Sequence, residues 1–168
     1  CGLAKARDLM GGTENVIAVI GDGALSGGEA LEGLDFAWEL HSNLIIIVND
    51  NGMSISDNYG GLYQNLKTLR ESNGKAECNI FRSLGFDYCY LKDGNDVEKL
   101  IEVFQKVKDI DHPIIVHINT VKGKGYVFAE EDQENYHWKP PFDIETGKNK
   151  RTFTNENFDD IFCDFLLD

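Results

Sequence analysis

The stretch Asn15-Val-Ile-Ala-Val-Ile-Gly-Asp-Gly-Ala-Leu-Ser-Gly-Gly-Glu29 decides the fold. It passes from a continuous apolar run into a glycine-rich turn, and Ala30, Leu31, Leu34, Ala37, Trp38 and Leu40 then recur at helical spacing from Gly28 to His41. A second apolar run, Asn43-Leu-Ile-Ile-Ile-Val48, follows at once. Strand, glycine turn, helix and strand in that order predict a βαβ unit with a parallel pair.

Working outward, Pro113-Ile-Ile-Val-His-Ile118 is a third apolar run and Phe86-Asp-Tyr-Cys-Tyr-Leu91 a weaker fourth. Unbroken apolarity over five or six residues predicts strands buried on both faces. A second helical period, Val97, Leu100, Ile101, Phe104 and Val107, runs from Asp96 to Asp109 and stops before Pro113. Between the two βαβ units lies a long connection with a helix expected around Glu77 to Leu84. Right-handed crossovers in this order give an α/β fold with a doubly wound, mostly parallel sheet and helices on both faces. Ligands are then expected beyond the C-terminal strand ends. The α/β core is placed at 1–120. Residues 121–168 form a polar, loop-rich extension ending in a short amphipathic helix on Phe158, Ile161, Phe162, Phe165 and Leu166.

The 168 residues, 42% hydrophobic and 27% charged, suit one globular domain. Sixteen Lys and Arg against 29 Asp and Glu leave a formal charge of -13, which argues against nucleic acid as a partner. No apolar run approaches the roughly 18 residues of a membrane-spanning helix. Cys1, Cys78, Cys89 and Cys163 form no CxxC pair, so reduced thiols and a cytoplasmic location are expected. Opening on Cys-Gly-Leu-Ala, as though part way into a helix, the chain reads as a fragment or as numbered without an upstream part.

Chemistry enters at the two strand ends. Glycines at a strand-to-helix turn let backbone N–H groups approach a phosphate, and a helix N-terminus adds favourable partial charge. Asp22 in that turn would repel a phosphate unless a divalent cation stood between them, which suggests Mg2+. The second strand end, Val48-Asn-Asp-Asn-Gly-Met-Ser54, lies on the same sheet edge, and a neutral Asn oxygen adds a ligand without a further negative charge. The plainer readings are a simple turn at Gly21-Asp22-Gly23, strand termination at Asn49 and Asp50, and a core role for Met53. Lys122 and Lys124 read equally as solvated residues, and His41, His112 and His117 as structural.

Gly21-Asp22-Gly23 followed by Asn51, 29 residues after Asp22, resembles the thiamine diphosphate signature. The longer stretches Gly21–Gly28, Asn49–Ser56 and Val121-Lys-Gly-Lys-Gly-Tyr126 are similar to the 1-deoxy-D-xylulose-5-phosphate synthase family. So are Ala129-Glu130, His137, and Phe142-Asp143 before Thr146-Gly147. The resemblance implies a thiamine diphosphate-binding fold, incomplete here. It implies that Asp22, the Asn51 side chain and the Met53 carbonyl hold Mg2+, and that the backbone of Gly21, Gly23 and Ala24 lines the diphosphate. Lys122 would stand beside cofactor and substrate, and His137 near the substrate phosphate, as the two catalytic candidates. It further implies a transferase that joins pyruvate to D-glyceraldehyde 3-phosphate with loss of carbon dioxide, for isoprenoid and thiamine biosynthesis, in a homodimer. The family's upstream His residues and the downstream domain that carries its activating Glu are not in this sequence, so the 168 residues alone are expected to be inactive. The family also often has a longer insert between the segments at Asn58 and Phe81. Two alternatives stand beside this reading. Lys122-Gly-Lys-Gly125 with Phe128 and His137-Trp138 also suits the diphosphate-binding subunit of a split transketolase, and a solitary diphosphate-binding module without catalysis is the third possibility.

Overall fold

The computed structural model describes residues 1–150 and 157–167, so residues 151–156 and 168 of the expected extension lie outside the described residues. Four strands, β1 (Val16–Gly21), β2 (Leu44–Asp50), β3 (Asp87–Leu91) and β4 (Pro113–Asn119), form one sheet in the order β1-β2-β4-β3, with every pair parallel. Each strand is one that apolarity marks in the sequence. β2 runs two residues further than its apolar stretch, because Asn49 and Asp50 continue the ladder opposite Ile118 and Asn119.

The helices are α1 (Gly2–Leu9), α2 (Asp22–Leu25), α3 (Gly28–Glu39), α4 (Gly61–Glu71), α5 (Ile80–Ser83), α6 (Val97–Val107), α7 (Val127–Glu131) and α8 (Phe158–Leu167). The chain moves outward from β1 to β2 through α3 and to β3 through α4 and α5. It then returns through α6 to insert β4 between β2 and β3. Reversal of direction moves a right-handed crossover to the other face, which makes the sheet doubly wound. On one face Leu44, Ile46, Val48 and Ile115 pack with Leu25, Leu34, Leu66, Leu69 and Phe81. On the other, Ile45, Ile47, Ile114, Val116 and Ile118 pack with Val103 and Val107. Local chemistry fixes helix starts: the Asp96 carboxylate accepts from the N–H of Glu98 and Lys99 at 3.0 and 3.2 Å, and the Asn79 side chain accepts from those of Phe81 and Arg82.

The structure differs from expectation at four points. β1 is apolar throughout yet is an edge strand with one face open, Ile17 and Val19 being 54% and 69% exposed. Apolarity identified the strand but could not count its neighbours. The connection after Asn58 contains the three-turn helix α4, whose Leu62, Leu66 and Leu69 face the core. The helix expected around Glu77 to Leu84 shrinks to the single turn α5. The extension is less open than its polarity suggests, since Tyr126, Phe128, Tyr136 and Phe142 form an aromatic cluster with ring centroids 5.5 to 5.7 Å apart. The Tyr126 and Tyr136 hydroxyls donate to the carbonyls of Ile144 and Gly147, both at 2.9 Å. Phe158, Ile161, Phe162, Phe165 and Leu166 of α8 are exposed. Among the described residues no helix is long and apolar enough to cross a membrane, and all four cysteines are free.

The layering gives a test. Phe81 is fully buried, so Phe81→Ala should cost about 3–5 kcal/mol. Val19→Thr at the open edge should cost no more than about 0.5 kcal/mol. Urea unfolding of the two variants checks both figures, and equal losses would contradict the placement of β1.

Candidate functional site

Parallel pairing brings the C-terminal ends of β1, β2 and β4 together. Gly21 pairs with Asn49 and Asp50 with Asn119, so the turn after β1 and the Asn51–Asn58 loop after β2 rise from one edge. They touch directly: a Cβ on Gly23 would sit 2.7 Å from Ser54 Oγ and 2.9 Å from Ser54 Cβ. Glycine at this point is a condition of the two loops meeting. Asn51 Oδ1 accepts from the Met53 N–H at 3.2 Å, an Asx turn that reverses the chain at Gly52, where φ is +79°.

Two buried carboxylates stand at adjacent strand ends, in different company. Asp50 has no exposed surface. Its oxygens accept from Arg70 Nη1 at 2.6 Å each, from His117 Nε2 at 2.8 Å and from the Gly52 N–H at 3.0 Å. Burial alone would raise its pKa, but the His117 and Arg70 hydrogen bonds and the Arg70 charge outweigh it and hold the carboxyl at about 2. Because an ionised carboxylate only accepts, His117 Nε2 carries a proton, and His117 Nδ1 shares a hydrogen bond of 2.7 Å with the Tyr88 hydroxyl. Burial, foremost, holds that phenol well above its ordinary pKa.

Asp22 is 2% exposed, and its hydrogen-bond donors among the described residues are neutral: the Gly23 N–H at 2.9 Å and Asn58 Nδ2 at 3.2 Å. Burial and the nearby Asp50 charge both push its pKa up. Two carboxylates therefore share the edge, and among the described residues Asp50 alone has cationic neutralisation. A cation beside Asp22 would offset its desolvation, and its oxygens retain lone pairs for one. Asn51 Oδ1 likewise accepts one hydrogen bond and has a second lone pair free. Among the described residues no three His, Cys, Asp or Glu side chains gather to hold a metal. Any ion here would rest on one carboxylate with neutral amide and carbonyl oxygens, a set suited to a hard ion that keeps phosphate or water ligands.

The other expected residues divide. Gly21, Gly23 and Ala24 sit where the strand turns, but the chain enters the single turn α2 at once and reaches the uncapped start of α3 only at Gly28. Lys122 joins the site, its Nζ donating to the Ser54 carbonyl at 2.6 Å across 68 residues. The loop behind it is held by Glu130, which accepts from the Gly125 N–H at 2.9 Å. His137 lies exposed in the extension, and among the described residues its side chain makes no hydrogen bond to Asp22, Asn51 or Lys122. Sequence reading missed Asn58, Arg70 and the role of His117. Neither Asn58 nor Arg70 had a sequence signal, since Arg70 lies on a helix whose apolar period is diluted by polar residues.

Compared with known proteins, the family model described as "1-deoxy-D-xylulose-5-phosphate synthase" matches residues 1–79 and 73–120. The enzyme named 1-deoxy-D-xylulose-5-phosphate synthase 1 from Geobacter sulfurreducens is 39% identical over 183 residues, covering 88% of this chain and 29% of its own length. A protein of the same family name from Natranaerobius thermophilus is 36% identical over 202 residues, covering 98% of this chain and 32% of its own length. The chain thus spans less than a third of the length of these curated relatives. Among solved structures, transketolase from Campylobacter jejuni superposes with a TM-score of 0.50 at 23% identity, over 72% of this chain and 19% of that one. That likeness bears on the fold alone.

The Asp50 cluster yields a prediction with a sign in pH. Arg70→Ala leaves a buried carboxylate short of its charged partner and should cost about 3–5 kcal/mol at pH 7. An Asp depressed to about 2 when folded, against about 3.9 unfolded, contributes stability fully above the unfolded value and loses it as pH falls towards the folded one. The gap between wild type and Arg70→Ala should therefore narrow below about pH 4. Urea unfolding between pH 7 and 3 measures it, and a gap independent of pH would contradict the pairing.

Proposed function

The chain belongs to the 1-deoxy-D-xylulose-5-phosphate synthase family, and on that premise we propose that it is the diphosphate-holding part of a thiamine diphosphate- and Mg2+-dependent carboligase. The reaction is the condensation of pyruvate with D-glyceraldehyde 3-phosphate to 1-deoxy-D-xylulose 5-phosphate with release of carbon dioxide. The product would feed isoprenoid and thiamine biosynthesis. A cytoplasmic homodimer of the intact protein belongs to the same proposal. The observation that carries it is the family match across residues 1–120, with Asp22 and Asn51 of the matched segments on neighbouring strand ends.

In this reading Asp22, the Asn51 side chain and the Met53 carbonyl hold Mg2+. There Asp22 would gain a positive counter-charge, and the backbone of Gly21, Gly23 and Ala24 would line the diphosphate. Bound there, thiamine diphosphate supplies the carbanion-stabilising chemistry that decarboxylation and carbon–carbon bond formation require. The chain's own contribution is position. The sheet edge fixes one end of the cofactor, and an orientation effect of this kind lowers a barrier by several kcal/mol. Lys122 brings a cationic amine to the Asn51–Asn58 loop, tied to the Ser54 carbonyl and able to turn towards an anionic group. His137 enters only through the resemblance, as a residue of the extension facing the acceptor's phosphate.

The test uses the intact protein with Mg2+, thiamine diphosphate and D-glyceraldehyde 3-phosphate. Labelled carbon dioxide should be released from pyruvate, and Asp22→Ala should abolish both release and Mg2+-dependent cofactor binding, with Asn51→Ala milder in each. Transfer of two-carbon units from xylulose 5-phosphate with pyruvate untouched would support the transketolase reading instead. Cofactor binding without turnover of either donor would support the non-catalytic module.

A further inference from the structure

The helix that the sequence concealed, α4, touches both loops of the site from one face. Near its start, the Tyr63 hydroxyl donates to Ser26 Oγ at 2.7 Å and lies 3.4 Å from the Gly23 carbonyl, so it grips the turn after β1. Near its end, Arg70 binds both oxygens of Asp50 at 2.6 Å, and a Cβ on Gly52 would meet Arg70 Nη2 at 3.6 Å, so it grips the start of the loop after β2. Tyr63 and Arg70 are seven residues apart, two turns and about 10 Å along one helix face. Between them Leu66 and Leu69 are fully buried against the sheet, which stops the helix from sliding or rolling. An α-helix does not stretch, so its two grips impose a distance.

We propose that α4 is the spacer that sets the separation of the two loops, with Tyr63 and Arg70 as positioning residues for the metal and diphosphate held between Asp22 and Asn51. The proposal rests on the cofactor reading above for its ligand, but the spacing itself is a property of the unliganded chain. The division of labour comes from chemistry. Arg70 acts through a buried ion pair and so also supports the fold. The Tyr63–Ser26 bond lies at the exposed rim of the site, where it contributes little to stability while it orients the turn that would carry the backbone N–H groups. Tyr63 is therefore the cleaner probe.

The experiment compares intact wild type with Tyr63→Phe, Ser26→Ala, their double variant, Arg70→Lys, and Lys67→Ala as a control whose side chain is mostly exposed. Calorimetry with Mg2+ and thiamine diphosphate should show about fivefold weaker binding for Tyr63→Phe and for Ser26→Ala. The double variant should lose clearly less than the sum of the two single losses, because the Tyr63–Ser26 bond is broken in each of them. Lys67→Ala should bind as wild type, and the melting temperature of unliganded Tyr63→Phe should be unchanged, which separates positioning from a general loss of stability. Amide hydrogen exchange without ligand gives the readout independent of the cofactor. Exchange should quicken at 23–26 in Tyr63→Phe and at 51–58 in Arg70→Lys, with protection in β4 retained. Wild-type exchange at both loops in these variants, or additive losses of affinity in the double variant, would overturn the spacer. Failure of wild type to bind thiamine diphosphate would instead overturn the cofactor reading, and the exchange data alone would then decide for or against α4.

Discussion

A fully buried carboxylate, Asp50 at the end of β2, is the constraint on which the rest of the structure turns. Removing such a charge from water costs several kcal/mol unless partners replace the solvent. The partners come from two distant elements, His117 of β4 and Arg70 of α4. Satisfying one charge therefore ties the central strand pair to the helix that covers it. The same cluster fixes the loop after β2, because the Gly52 N–H is committed to Asp50 and Asn51 then turns over Met53. Asp22, one strand away, is buried without a cationic partner among the described residues. This contrast between the two carboxylates is what the proposed cation would balance.

Much of this frame is legible in the amino-acid order. Parallel strands sheltered by helices are apolar without interruption, and all four strands fall where such runs or their weaker likeness occur. The glycine turn before α3 and the Asp96 start of α6 are visible because helix ends need particular residues. The edge position of β1 is not visible, since Ile17 and Val19 look no different from Ile45 and Ile47, beside which they lie. Burial is a property of the neighbours, not of the residue. In α4 the apolar residues are diluted by Gln64, Asn65, Lys67 and Thr68, and the brevity of the connection beside that of longer family members is more conspicuous than its period.

The site is legible in a different proportion. Asp22 stands out because a carboxylate in a phosphate-type turn would call for a cation, whereas Asn51 is singled out from Asn49 by the resemblance to the family signature alone. Their support is hidden, since Arg70 and His117 reach Asp50 across 20 and 67 residues. No periodicity relates such partners. The aromatic cluster of the extension is concealed likewise: Tyr126, Phe128, Tyr136 and Phe142 are scattered among Lys, Glu and Asp and meet only in the folded chain.

The central claim is that the ends of β1 and β2 together hold a divalent ion and the diphosphate bound to it. Crystals of the intact protein grown with Mn2+ and thiamine diphosphate test it most directly, through the anomalous scattering of the metal. The account predicts one strong peak ligated by the side chains of Asp22 and Asn51 and the carbonyl of Met53, with the diphosphate against Gly21–Ala24. A peak elsewhere, or a diphosphate bound away from that turn, would contradict it.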